Sequence, residues 1–246
     1  MTEEDKNKGS LHPITISINK ISEIFTNMGF DLATGPEVET EFYNFDALNV
    51  PSHHPSRDMQ DTFWVDSKKG ILPRTHTSSV QIRFMENNPP PIRVVSTGRV
   101  FRNEATDATH DFQFYQVEGL MVDEKTSLAN LRFVLSSFFT QFFEKEVTVR
   151  MRPSYFPFVE PGVEIDMSCF KCEGKGCSTC KSTGWIEIMG AGMVHPNVLK
   201  NAGVKNSDKY QGFAFGGGMD RLIMLKYGVD DIRLLYSGDL RFVNQF

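Results

Sequence analysis

Residues 98–121 read Gly98-Arg99-Val100-Phe101-Arg102-Asn103-Glu104, then a polar loop from Ala105 to Asp111, then Phe112-Gln113-Phe114-Tyr115-Gln116-Val117-Glu118-Gly119-Leu120-Met121. A strand over 112–121 turns alternate residues to opposite faces. Phe112, Phe114, Gln116 and Glu118 then share one face, while Tyr115, Val117 and Met121 point into a core. Aromatic, amide and carboxylate groups side by side pack poorly but suit a ligand with a flat ring and a cation. Arg102, on the partner strand of the expected hairpin, brings a positive charge close by. The competing reading is a solvated edge hairpin.

The rest of the chain sets the scale. With 246 residues, 40% hydrophobic and 12% aromatic, it can bury a full core as one domain. No apolar run approaches the ~18 residues of a membrane span, so none is expected. Residues 1–10 are polar, lack an apolar signal core and read as a flexible lead-in. A net charge of −5 argues against a broad basic surface for nucleic acid.

Helix periodicity is clearest after His12-Pro13, where Ile14, Ile18, Ile21, Phe25 and Met28 follow at spacings of four and three. Gly29 is expected to end that helix. A second helix is expected over 77–86, stopped by Asn87-Asn88-Pro89-Pro90-Pro91. A third runs over 127–144 with Leu128, Leu131, Leu135, Phe138 and Phe142 as its stripe, and a last starts near Gly218 and ends before Gly228. Strands are expected at 92–96, 99–103, 147–152, 163–168 and 184–194. Antiparallel strands with helices between and after them make an α+β domain.

All four cysteines fall in one segment, Cys169-x2-Cys172-x4-Cys177-x2-Cys180, between two expected strands. Each C-x-x-C pair presents two thiolates to one ion, so a structural Zn2+ at a hairpin tip is one reading. Four reduced thiols in a tolerated loop is the other, since the four-residue middle spacer is short for closing one site.

Several motifs carry a family resemblance. Phe101-Arg102-Asn103-Glu104 resembles the second signature of class II aminoacyl-tRNA synthetases. Phe215-Gly216-Gly217-Gly218-Met219-Asp220-Arg221 resembles the third, a glycine-rich turn entering a helix, and Gly35-Pro36-Glu37-Val38-Glu39 the first, at a subunit interface. Longer stretches narrow the match: Tyr43-Asn44-Phe45-Asp46-Ala47-Leu48-Asn49, Thr75-His76-Thr77-Ser78, Phe156-Pro157-Phe158 and Gly190 to Leu199. From about Leu11 to Phe246 the chain is similar to the catalytic α subunits of bacterial phenylalanyl-tRNA synthetases.

That resemblance implies an antiparallel sheet flanked by helices, with 11–246 as one class II catalytic domain and 169–180 as its cysteine knuckle. It implies activation of L-phenylalanine with ATP and Mg2+, then transfer to tRNA(Phe), in a cytoplasmic heterotetramer of two α and two β subunits. The family's α subunit usually carries a long N-terminal helical hairpin that grips tRNA, which this sequence does not show. Arg102 and Arg221 are the implied catalytic arginines, and with Glu104 and Phe114 they would bind ATP, Phe114 and Arg221 sandwiching the adenine. Gln116 and Glu118 would hold the substrate ammonium, and His76, Ser78 and Gln81 its α-amino and carboxylate end. The free N–H groups of the helix opened by Thr75–Ser78 would favour an anion. Phe156 and Phe158 would meet the phenyl ring edge to face, and Ala214 would floor the pocket. Two departures stand out: Gly217 where the family usually has an apolar residue, expected to loosen the ATP-tail site, and Asp220 where it often has glutamate. A synthetase-like protein that senses an amino acid or adenylate without charging tRNA is the alternative.

Overall fold

A computed structural model describes residues 10–58 and 61–246. The lead-in expected over 1–10 lies outside the described residues, Ser10 apart. Helix α1 spans Pro13–Asn27. Proline fits its first turn because the amide it lacks would have no helical partner. The His12 side chain caps that end, accepting from the Ile14 amide at 3.2 Å. Ile14, Ile21, Ile24 and Phe25 are buried on one face. Gly29, at φ +79°, takes the left-handed turn that ends the helix, where a side chain would be strained.

The remaining elements, in chain order, are β1 (Asp31–Leu32), β2 (Val38–Thr40), α2 (Glu41–Asn44), β3 (Ile71–Pro73), α3 (Ser78–Asn87), β4 (Ile92–Phe101), β5 (Gln113–Asp123) and α4 (Leu128–Phe143). Then come β6 (Val149–Phe156), β7 (Val159–Ser168), β8 (Trp185–Val194), α5 (Pro196–Asn201), β9 (Gln211–Gly218), α6 (Met219–Tyr227) and α7 (Leu240–Val243). Seven strands form one sheet in the order β1-β4-β5-β9-β8-β7-β6, while β2 and β3 pair separately. Every pairing in the large sheet is antiparallel except β1 with β4, so the sheet is mixed at that edge.

Two expectations are corrected. The strands placed at 92–96 and 99–103 are one, paired without a break from Ile92↔Val122 to Phe101↔Gln113. Gly98, which reads as a break, is there for space: a Cβ would fall on the Arg74 guanidinium. The glycine-rich turn of 215–218 is the end of β9, paired with β5 throughout and with β8 as far as Gly216. A Cβ on Gly216 would lie 2.5 Å from Glu118 Cγ, and one on Gly217 2.5 Å from Met189 Cβ. Close packing therefore selects these two glycines, and Gly217 lies within the β5–β9 ladder, opposite Val117.

The sheet separates two cores. On one face α1, α4 and α6 pack Phe25, Phe138, Phe139, Phe142, Leu222 and Ile223 against Val117, Ile165, Phe213 and Phe215. On the other, Val94, Leu120, Val122 and Ala214 meet Phe45, Leu48, Leu72, Ile82, Val198 and Leu199. Phe138 and Phe25 lie 4.9 Å apart, and Phe25 stacks on Phe215 at 5.6 Å, so the α4 aromatics are core. Among the described residues no helix is long and apolar enough to cross a membrane.

Candidate active site

The period of two in β5 decides where the site lies. Leu120 and Val122 bury themselves in the second core, while Phe114, Gln116 and Glu118, on the same face nearer the start, line a cavity of about 580 Å³. Phe112 does not join them: it precedes the strand, is 47% exposed and gives its carbonyl to the Arg102 amide at 2.9 Å. Tyr115, Val117 and Met121 face the helical core as expected.

Glu118 is the polar centre. Its Oε2 accepts from Ser78 Oγ at 2.6 Å and from Gln81 Nε2 at 3.0 Å. The residue is 4% exposed, and burial pushes its carboxyl up to about 7 against the hydrogen bonds from Ser78 and Thr77. A carboxylate so poorly solvated is stabilised by an arriving cation. His76 lines the same cavity; burial, then the Arg102 charge, lowers it to about 3, so its ring is neutral at pH 7. Its buried Nδ1 has no hydrogen-bond partner among the described residues.

Two of the amides that lead into α3 are taken. The Thr77 amide donates to Gln116 Oε1 at 3.1 Å and the Thr75 amide to Asn44 Oδ1 at 3.1 Å. Those donors are already used, and the groups beside them are a carboxylate and a neutral imidazole.

The apolar end of the cavity is made by Phe156, Pro157, Phe158, Val159, Leu48 and Ala214. Phe156 and Phe158 flank the β6–β7 turn, and Asn49 Nδ2 fixes it by donating to the Pro157 carbonyl at 2.7 Å. Their rings stack on one another, 5.8 Å apart and 19° from parallel, instead of presenting two separate edges. A Cβ on Gly190 would lie 2.8 Å from the Phe156 ring, so that glycine makes room for the aromatic wall.

At the polar end the cavity continues into a smaller recess of about 140 Å³, sharing Arg102, Glu104, Phe114 and Gly218 with it. Arg221 lines this recess together with Asp220 and Ile232. The two arginines, remote in sequence, thus reach contiguous space. The Arg102 guanidinium lies 5.1 Å over the Phe114 ring, its Nε donates to the Thr75 carbonyl at 3.1 Å, and its Nη1 sits 3.8 Å from Glu104. Arg102, not Arg221, is therefore the cation against Phe114 in this structure.

Two supporting residues went unread. Asn44 bonds Thr75 twice, through the Thr75 amide and, as donor, to Thr75 Oγ1 at 2.9 Å, fixing the segment that carries His76. Arg74 is 4% exposed and donates to the carbonyls of Arg99 at 2.8 Å and Gly35 at 3.0 Å. Asn44 belongs to the stretch Tyr43 to Asn49 that carries the resemblance, but nothing in its spacing marks a role; nothing marks Arg74 either.

The four cysteines lie between β7 and β8 with their sulfurs within 4.8 Å of one another. Cys169 and Cys177 are 3.7 Å apart, Cys172 and Cys180 3.8 Å, and Cys177 and Cys180 3.8 Å. Four sulfurs at about 2.3 Å from one Zn2+ span tetrahedral edges of about 3.8 Å. The short middle spacer closes because Glu173, Gly174 and Gly176 take positive φ. Amides of Gly176 and Cys177 donate to Cys172 and Cys180 sulfurs at 3.2 and 3.1 Å, which favours thiolates.

An antiparallel sheet crossed by a helix-backed cavity, with an arginine on the central hairpin and another on the helix after β9, defines a class II aminoacyl-tRNA synthetase core. The family model "tRNA synthetases class II core domain (F)" matches residues 1–246. The chain is similar to the solved structure of Desulfitobacterium hafniense PylSc, a pyrrolysyl tRNA synthetase, with a TM-score of 0.65 over 90% of this chain and 72% of that one. At 16% identity this likeness concerns the fold alone. The phenylalanine–tRNA ligase alpha subunit of Francisella tularensis subsp. mediasiatica is 54% identical over 246 residues, which is all of this chain and 72% of the relative. That of Francisella philomiragia is 55% identical over 241 residues, 98% of this chain and 70% of the relative. The chain belongs to the phenylalanine–tRNA ligase alpha-subunit family.

Proposed function

We propose that this chain is the catalytic subunit of a phenylalanine–tRNA ligase, activating L-phenylalanine with ATP and passing it to tRNA(Phe) beside a β subunit, two of each in the assembly. A carboxylate oxygen of phenylalanine attacks the α-phosphorus of ATP, the bond to the bridging oxygen breaks, and pyrophosphate leaves phenylalanyl-adenylate. A terminal ribose hydroxyl of the tRNA then attacks the acyl carbon, and AMP departs. The observation that carries this reading is one continuous cavity, with an aromatic end at Phe156 and Phe158, a buried carboxylate at its centre and an arginine-lined recess beyond.

Glu118, oriented by Ser78 and Gln81, takes the substrate ammonium with Gln116 beside it. Neutral His76 offers a hydrogen bond without a charge that would repel the ammonium. Phe156, Phe158 and Ala214 take the benzyl group. Phe114 gives the adenine a stacking face and Glu104 an acceptor for its amine, while Arg102 and Arg221 stabilise charge on the phosphates. If the base stacks on the face of Phe114 that Arg102 covers, Arg102 moves off it toward the α-phosphate. Mg2+ supplies further neutralisation of the triphosphate when bound.

The test is ATP–pyrophosphate exchange across the twenty amino acids, with and without β. Exchange dependent on phenylalanine is expected, and phenylalanine binding without exchange in the presence of β would overturn the reading in favour of a sensor.

Cys169, Cys172, Cys177 and Cys180 hold a structural Zn2+ in the same proposal, supported by sulfur spacings that suit one tetrahedral ion. Metal analysis of the purified protein should give about one zinc per chain, lost in Cys172→Ser together with thermal stability. Full stability in metal-free protein would refute the site.

A further inference from the structure

We propose that the Tyr236 hydroxyl, by bonding the Asp220 carboxylate that holds the Tyr115 amide, is a positioning group for ATP binding. The inference rests on the ligase reading and concerns two residues on which the chemistry itself does not depend.

The β5–β9 ladder ends at Gln116↔Gly218, where the chain turns into α6. Tyr115, one residue further along β5, has no β9 carbonyl left to bond. Asp220 Oδ2 takes that place and accepts the Tyr115 amide at 2.6 Å. The carboxylate thus continues the ladder past the end of the strand. Its position matters because of its neighbours: Phe114 and Gln116 flank Tyr115 and line the cavity, while Arg221 follows Asp220 and lines the recess.

Asp220 is 2% exposed, and a buried carboxylate is tolerated only when its oxygens are satisfied. The second oxygen, Oδ1, accepts from the Tyr236 hydroxyl at 2.5 Å. Tyr236 follows a short 3-10 turn at Ile232–Leu235. That segment also reaches the loop between β4 and β5, where the Ile232 amide donates to the Ala108 carbonyl at 2.9 Å, and Ile232 itself lines the recess. The segment after α6 therefore grips the ATP side of the site from two directions. Burial pushes Asp220 up to about 6 and raises Tyr236, so above pH 6 the pair is a carboxylate with a hydroxyl donor.

Length is part of the fit. At 2.5 Å no further methylene fits between the Asp220 backbone and the Tyr236 hydroxyl. A longer acid at 220 would have to shift the bond to the Tyr115 amide, the bond to Tyr236, or both.

The experiment is steady-state pyrophosphate exchange by the α–β complex carrying Tyr236→Phe, Asp220→Glu or both. Each single variant should raise KM for ATP about tenfold, with kcat and KM for phenylalanine within about twofold of the parent. The double variant should be no worse than the more impaired single variant, because both changes act on one carboxylate contact. The strut is overturned if Tyr236→Phe leaves KM for ATP unchanged, if both KM values rise together, or if the two losses add in the double variant. Should the parent itself show no phenylalanine-dependent exchange, the ligase reading fails instead. ATP-induced thermal shifts of parent and Tyr236→Phe then decide the strut, equal shifts counting against it.

Discussion

Glu118 shows how one buried residue ties binding to pH. Burial pushes its carboxyl up to about 7, and in the proposed role only the ionised form attracts the substrate ammonium, which stays protonated in this range. KM for phenylalanine is therefore expected to rise about tenfold per pH unit below 7 and to level off above it, with the trend absent in Glu118→Gln. A flat parent profile from pH 6 to 8 would contradict this assignment. The same shift acts on stability. With a folded value of about 7 against an ordinary 4.5, the folded chain holds the extra proton between them, so stability falls as pH rises through that window. Above 7 the loss is complete, and Glu118→Gln at pH 8 should melt about 2 °C or more above the parent while binding phenylalanine poorly. Ala214 sets a different limit. It is 9% exposed, sits opposite Leu120 on β5 and lines the apolar end. Ala214→Gly removes one methyl there, and exchange with para-chlorophenylalanine should rise about tenfold or more over the parent. Gln116 and Glu118 were legible because a period of two exposes any polar pair on a buried face. Asn44 and Arg74 were not, because each works by bonding backbone groups far away in the chain, and no local pattern records such a partner.

At the scale of elements, the legible parts are those whose pattern is local. The α1 stripe ends at its glycine, and α4 carries its aromatic face where the spacing places it. Glycine strands defeat the same reading. Gly98 and the run 216–218 look like turns, yet they lie in paired strands, and at Gly98, Gly216 and Gly217 side chains or backbone from elsewhere occupy the space a Cβ would need. The pairing of Phe156 with Phe158 was likewise hidden, since a turn's sequence does not say whether flanking rings diverge or stack. Gly98→Ala tests the argument. Its Cβ would displace the Arg74 guanidinium, which joins β4 to residues 35–36 through the Arg99, Gly35 and Pro36 carbonyls. Overpacking against a buried ion that cannot relocate is expected to lower the melting temperature by about 5 °C or more. A Gly98→Ala chain as stable as the parent would show that Arg74 has room to move and that the tie is incidental.

The whole molecule places two cores on opposite faces of one sheet, and the site opens on only one of them. The wide cavity takes residues from α3, β5, β6 and β9, whereas the arginine-lined recess draws chiefly on the loop between β4 and β5, the start of α6 and Ile232 beyond it. A ligand confined to either recess engages part of this set; one that spans both engages all of it. Joining the two halves also turns the second contact into an intramolecular event, without a second loss of translational freedom. A nonhydrolysable phenylalanyl-adenylate analogue should therefore stabilise the chain far more than its separated halves do. At equal low-micromolar concentration the linked analogue is expected to raise the melting temperature by about 5 °C or more, and phenylalanine with AMP together by less than about 2 °C. The sign of the difference depends on continuity alone, because the same chemical groups are offered in both arms. Equal shifts would mean that the recesses do not communicate in solution, and the alignment of carboxylate and α-phosphate would then need a rearrangement of α6 or of the loop between β4 and β5.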